Sequence, residues 1–488
     1  MFKSAVAFGL LCLGTSVQVH SSSIDEAPPS PKPNIIYILA DDLGYGDLSC
    51  YGQTKFKTPH IDELASNGMK FLRHYSGSTV CAPSRSTLLT GLHTGHTPIR
   101  GNKEIQPEGQ EPMPAETVTI AELLKKEGYH TAAVGKWGLG FIESEGDPNN
   151  QGFDYFFGYN CQRYAHRYYP AYLWENNQKY PLEGNDWTQT ETYAPDVIHE
   201  KAIDYIKENK DDSFFLYYAA IMPHAELIVP EDSLLDRFTG RFEETPFEGK
   251  AYNHENGAAY GPDIFIPGYA PCEKPKATFA SMVYRLDSYV GEINSILDSL
   301  GIRENTLIIF TSDNGPHQEG GADPDFFDSN GPYRGYKRDL YEGGIHVPMI
   351  VQWPAKVKTG TSTNHISAFW DVFPTLAEIA GMESEPVSDG ISMAPTLMGR
   401  SGEQEAHEYL YWEFHERGGR QAVLQGNWKY VKYQVFNKEK TKAMLFDLSN
   451  DIAEQNNVAG RHPDLVAHFE SILQKEHTES DVFPFFSN

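Results

Sequence analysis

The stretch Cys81-Ala82-Pro83-Ser84-Arg85, continuing Ser86-Thr87-Leu88-Leu89-Thr90-Gly91, brings a nucleophile, a proline and a fixed cation together within five residues. Proline is favoured at the first helical position, where its missing N–H costs nothing. Leu88 and Leu89 offer an apolar face and Gly91 a C-terminal stop. The spacing predicts a short helix with Cys81 at or just before its N-terminus, among unpaired N–H groups at the positive end of the helix dipole. Arg85 falls one turn on, on the same face, with a forked set of donors. A nucleophile between a helix N-terminus and an arginine suits attack on an anionic ester.

Two further segments share one design. The apolar run Ile35–Leu39 ends in Asp41-Asp42, and Leu307–Phe310 ends in Asp313-Asn314, each followed by a glycine turn. In open α/β sheets, ligands bind beyond the carboxyl ends of the strands. Three carboxylates and an amide oxygen converging there would repel one another without a cation. They are hard oxygen donors with no local histidine or thiolate, which favours Ca²⁺, with Mg²⁺ second.

The run Cys-Ala-Pro-Ser-Arg followed by Thr90-Gly91 resembles the Cys-x-Pro-Ser-Arg signature of the formylglycine-dependent (type I) sulfatases, and the resemblance spans most of residues 33–354. It implies that a formylglycine-generating enzyme oxidises Cys81 to an aldehyde whose hydrate attacks sulfur. It further implies Asp41, Asp42, Asp313 and Asn314 as calcium ligands, with residue 81 beside the same ion. Lys136 in Gly-Lys-Trp and Lys337 in Arg-Gly-Tyr-Lys match lysines that hold sulfate oxygens, and His224 in Pro-His matches a histidine near the bridging oxygen. On this resemblance Arg85 and the two lysines balance charge on sulfate, and His224 assists departure of the alcohol. A covalent sulfo-enzyme forms, and the second hydroxyl of residue 81 then expels sulfate. The sequence departs from the family pattern at Gly138, where relatives often carry a histidine that assists the last step. His166 is one candidate to fill that gap. His346, where relatives often carry arginine, reads as structural. Two rival readings share parts of this pattern: a phosphodiester or phosphonate hydrolase of the same superfamily, and a non-enzymatic glycan-binding relative.

Cys161 to Tyr169 mixes cations and aromatic faces, with Trp174 nearby, as a sugar-stacking subsite would. His166 and Arg167 from this stretch, and His415 from Trp412-Glu413-Phe414-His415-Glu416, are the expected substrate-binding residues. This lining favours a sulfated carbohydrate as substrate.

These residues need a scaffold that brings strand ends together. Strands are expected at Asn34–Ala40, His130–Lys136, Ser213–Ile221, Thr306–Thr311 and His346–Trp353. Helices are expected at Ile61–Gly68, Thr119–Lys126, Asp196–Asn209, Thr278–Leu300 and Ala368–Ala380. Residues 145–195 read as irregular and 230–278 as a loop insertion. After residue 400 come strand-like runs at Glu408–Phe414, Gln421–Tyr433 and Ala443–Leu448, then a helix at Pro463–His477. The pattern indicates a large α/β domain at 34–390 and a small C-terminal α+β domain with an antiparallel sheet at 391–488. The family resemblance implies that the large domain is alkaline-phosphatase-like, with a central, mostly parallel sheet flanked by helices. Residues 1–23 read as a signal peptide and 24–33 as a leader, implying a secreted or periplasmic protein. No stretch is long and apolar enough to span a bilayer. The formal charge of −27 argues against nucleic acid or an anionic membrane as partner. With Cys81 modified and Cys12 in the signal peptide, three cysteines allow at most one disulfide.

Overall fold

The run Asn34–Ala40 is buried at all seven positions, as a strand covered on both faces must be. This computed structural model describes residues 32–186, 189–249, 268–382 and 387–485, with a few positions among 1–7 and the short pairs Ala258–Ala259 and Phe265–Ile266. Contacts divide the chain into Met1–Pro31 and Lys32–Asn488. Most of the signal peptide expected at 1–23 and nearly all of the leader lie outside the described residues.

Within the second unit, four neighbouring strands run parallel in the order Thr306–Ser312, Asn34–Ala40, Phe214–Ala219 and His130–Lys136. Tyr155–Tyr159 extends them as a fifth. On one side the sheet continues through antiparallel His346–Gln352 and Met69–Tyr75, and on the other through the hairpin Tyr172–Glu175 and Gln178–Pro181. Alternate residues of Asn34–Ala40 face opposite layers. Ile36 and Ile38 join the core formed with helices Ala194–Glu208 and Pro275–Leu300. Ile35, Tyr37 and Leu39 join the core formed with Cys81–Thr90, Ile120–Lys126 and Val372–Ile379. The fold is the expected mostly parallel sheet with helices on both faces.

Several elements differ from expectation. Met69–Tyr75 is a strand although Lys70, Arg73 and His74 interrupt its apolar run. Residues 145–195, read as irregular, hold three strands, because aromatic residues there serve both faces without clean alternation. The run Gln421–Tyr433 is two strands, Arg420–Gln425 and Trp428–Tyr433, turned at Gly426 with φ +61°. The helix expected from Ala368 begins with the turn Phe369–Asp371 and proceeds as Val372–Ile379.

The C-terminal sheet is antiparallel, in the order Leu410–Phe414, Arg420–Gln425, Trp428–Tyr433, Lys442–Asp447. Helix Pro463–Glu476 covers one face through Phe469, Ile472 and Leu473. A buried charge network joins this sheet to the large one. Glu342 accepts from Lys429 Nζ at 2.7 Å and from Tyr75 Oη at 2.8 Å, and lies 3.0 Å from His346 Nδ1. So His346 is structural, as its sequence context indicated. Removing one partner of a buried pair strands the other's charge, at about 3–5 kcal/mol. Lys429→Met is therefore expected to lower the melting temperature clearly, whereas a surface control such as Lys210→Met leaves it nearly unchanged. Burial opposes ionisation of Glu342, but Lys429 and His346 outweigh it and hold the carboxyl well below the usual range. Its stabilising contribution is thus complete above the ordinary Glu pKa of about 4.3 and fades as pH falls below it.

No described helix is long and apolar enough to cross a membrane. The described cysteines, Cys50, Cys81, Cys161 and Cys272, are all free thiols.

Candidate active site

The four parallel strands all end at one edge of the sheet, and each end contributes to one cluster. Asn34–Ala40 is followed by Asp41 and Asp42, Thr306–Ser312 by Asp313 and Asn314, His130–Lys136 ends on Lys136, and Phe214–Ala219 leads to His224. The helix Cys81–Thr90 lies beside them, buried along its whole length and stopped by Gly91 at φ +72°. Cys81 is its first residue and Pro83 its third. Pro83 still lies among the first four positions, whose N–H groups have no helical partner.

Cys81 Sγ is 3.3 Å from Asp41 Oδ1. Ligand atoms of Asp41, Asp42, Cys81 and His224 lie within 4.8 Å of one another. Lys136 Nζ donates to Asp41 Oδ2 at 2.6 Å and Lys337 Nζ to Asp42 Oδ2 at 2.8 Å. Burial disfavours charge on Asp41, Cys81, His224 and both lysines. For Asp41 the opposing pull of the cations Lys136, Arg85 and Lys337 wins and holds its carboxyl well below the usual range. Both lysines stay firmly protonated, since carboxylates outweigh their burial. Burial, with Asp313 and Asp41 alongside, pushes the Cys81 thiol well up.

Asp42, Asp313 and Asn314 are fully buried. Asn314 Nδ2 donates to Asp42 Oδ1 at 2.7 Å, while its Oδ1 has no hydrogen-bond partner. An orphaned carbonyl oxygen beside clustered carboxylates fits a hard divalent cation. The donor set is therefore compatible with calcium.

Arg85 stands behind this cluster. Its Nε and Nη2 donate to Asp313 Oδ2 at 3.2 and 2.9 Å, and its Nη1 to the Lys136 carbonyl at 2.6 Å. It thus braces two site residues, and like Lys136 it is not among the side chains that line the cavity.

His224 is neutral: burial and then Lys337 hold its pKa well down. Lys337 Nζ lies 2.8 Å from its Nε2, and its Nδ1 meets the Ala225 carbonyl. With a lysine ammonium as donor, Nε2 is the acceptor. His166 stacks on His224 at 4.6 Å and is likewise held neutral by burial.

A cavity of about 510 Å³ opens above the cluster, with Cys81, His224 and Lys337 in its wall. Of the expected substrate contacts, His166 and Arg167 line it, and Arg167 is also paired with Glu226 at 2.6 Å. His415 does not. It packs against Phe485 at 4.8 Å, and the next residue, Glu416, reaches the cavity in its place. Tyr164 and Tyr168 are fully buried packing residues rather than a sugar platform. Sequence reasoning missed Gln162, Glu319 and Arg338, which also line the cavity. The signal available for Gln162 was the missing side chain at Gly138, which leaves a space to be filled.

The sulfatase family profile matches residues 33–382, and that of the N-sulphoglucosamine sulphohydrolase C-terminal region matches 331–479. The chain is 31% identical to an N-acetylgalactosamine-6-O-sulfatase of Bacteroides thetaiotaomicron, covering 93% of this chain and 95% of that protein. It is 30% identical to human arylsulfatase A, covering 88% and 83%. A crystal structure of Ps i-CgsB bound to k-i-k-neocarrahexaose superposes with a TM-score of 0.72 at 28% identity, covering 91% of this chain and 92% of that one.

Proposed function

The chain belongs to the sulfatase family, and from that premise we propose that it removes a sulfate ester from a carbohydrate, using an aldehyde made from Cys81 and a bound Ca²⁺. It is a sulfuric ester hydrolase. The observation that carries the finer reading is the meeting of Cys81, Asp41, Asp42, Lys136, Lys337 and His224 in one cluster, with Cys81, Lys337 and His224 in the wall of the cavity. A carbohydrate substrate is supported by relatives named for an amino-sugar sulfate and by a related structure holding an oligosaccharide.

Asp41, Asp42, Asp313 and Asn314 would hold the cation, with Mg²⁺ the second choice. When present, the cation supplies Lewis-acid polarisation of a sulfate oxygen, and the hydrated aldehyde supplies a nucleophilic oxygen. Three carboxylates face three permanent cations here, so a divalent ion would leave a positive excess suited to an anionic ester. Lys136 and Lys337 remain charged and offer fixed donors to sulfate oxygens. Arg85 keeps Asp313 and the Lys136 carbonyl in place. In the resting site His224 Nε2 accepts from Lys337. An anionic ester bound beside it would favour the imidazolium, and in that form His224 would be the general acid for the departing alcohol while Lys337 keeps its charge.

Cys81 is only 2% exposed, so the maturation enzyme must meet residues 81–91 before the chain folds. The signal-like segment 1–23 supports placement in the periplasm or outside the cell.

The proposal is tested with 4-nitrophenyl sulfate, 4-nitrophenyl phosphate and a matched phosphonate ester. The sulfate should be cleaved fastest; faster phosphate or phosphonate cleavage would favour the rival hydrolase reading. Exhaustive chelation should abolish activity and lower the melting temperature, since a ion bound only by the native state stabilises it. Calcium should restore both. Active protein free of divalent metal would refute the cation, and stoichiometric zinc would refute the hard-donor argument.

A further inference from the structure

Gly138, with φ of +85°, lies two residues beyond Lys136. A Cβ placed there would lie 1.8 Å from Gln162 Nε2 and 2.7 Å from Gln162 Cδ. The Gln162 carboxamide therefore stands where a side chain at 138 would project. His166 is not the occupant of that space. The main chain fixes the arrangement: Gly138 N donates to Asn160 O at 3.0 Å, and Gln162 N to Gln110 Oε1 at 3.2 Å.

Gln162 is 4% exposed and shares the cavity wall with Cys81, His224 and Lys337. Neither its Nε2 nor its Oε1 has a hydrogen-bond partner among the described residues. A buried amide with both atoms unmet is costly, and a ligand that supplies both partners recovers that cost. The surrounding charges decide what kind of ligand fits. Arg163 pairs with Glu104, Arg167 with Glu226 and Arg338 with Glu319, and Glu416 adds a further carboxylate to the wall. A second anionic substituent would satisfy Nε2 and set a negative oxygen against Oε1. Two neighbouring hydroxyls satisfy both atoms, one accepting from Nε2 and one donating to Oε1.

We propose that Gln162 is a specificity-determining residue, which holds a pair of neutral hydroxyls on the sugar beside the scissile sulfate. The inference rests on the carbohydrate sulfatase reading above. An amide does not take up a proton near neutral pH, so Gln162 selects the substrate and does not replace a histidine base.

The test compares kcat/KM for N-acetylgalactosamine 6-sulfate and 4-nitrophenyl sulfate, which lacks hydroxyls, in wild type, Gln162→Leu and Gly138→Ala. In Gln162→Leu the ratio of sugar to aryl activity should fall about 10- to 100-fold, chiefly through a higher KM for the sugar. Gly138→Ala displaces the amide without removing it and should shift the ratio in the same direction, which covers the case that Gln162→Leu fails to fold. An unchanged ratio in the folded variants would overturn the proposal. So would a wild type that cleaves 4-nitrophenyl sulfate yet is neither a catalyst for the sugar sulfate nor inhibited by it. A wild type that cleaves neither ester would instead refute the sulfatase reading on which the inference stands.

Discussion

Replacing Cys81 by alanine should abolish turnover of every sulfate ester, a loss on the order of 10⁵- to 10⁶-fold, the scale on which deleting a covalent nucleophile acts. The fold should survive. Cys81 is a small residue at the start of its helix, its side chain makes one hydrogen bond, to Asp41, and the rest of Cys81–Thr90 is held by its own burial. The comparison is read from initial rates alongside the melting temperature. A variant that melts like wild type but is inactive places the chemistry at residue 81. Residual activity within tenfold of wild type would remove it from that role.

His224→Ala should separate two kinds of substrate. A sugar alkoxide is a poor leaving group that needs a proton as the S–O bond breaks, whereas nitrophenolate departs without one. A positioned acid is worth about 10²–10⁴-fold, so hydrolysis of a sugar sulfate should fall by that factor and 4-nitrophenyl sulfate far less. In the resting site His224 Nε2 accepts from Lys337, which fixes the orientation of the imidazole. Lys337→Met should therefore reproduce the selective loss and add a loss on both substrates, because it also removes a cation from the sulfate site. Equal losses on the two esters in His224→Ala would leave His224 with a binding role only.

Much of this site could be read from the chain alone, for a physical reason. Strands buried on both faces are continuous apolar runs, and in a parallel sheet their carboxyl ends come to one edge. Polar residues immediately after such runs are thereby gathered, which is how Asp41, Asp42, Lys136, Asp313 and Asn314 come to be neighbours. The edges were less legible. Met69–Tyr75 and the hairpin Tyr172–Pro181 carry polar side chains that blur the period, and pairing supplies what their own sequence does not. Side chains delivered by loops were harder still. His415 and Glu416 are adjacent, and only the end of the C-terminal sheet decides which of them meets the cavity. Arg85 shares a helix with Cys81, yet its guanidinium is drawn back to Asp313 because burial leaves no other carboxylate so well placed. Gln162 could not be assigned because filling the space at Gly138 depends on how two loops pack, which no local pattern encodes.

The most direct test of the account is the mass of the peptide containing Cys81, taken from active protein made in its native host or together with a formylglycine-generating enzyme. That peptide should be lighter than the cysteine form and react with a hydrazide probe, with the extent of conversion tracking specific activity. Fully active protein in which Cys81 remains an intact, alkylatable thiol would contradict it.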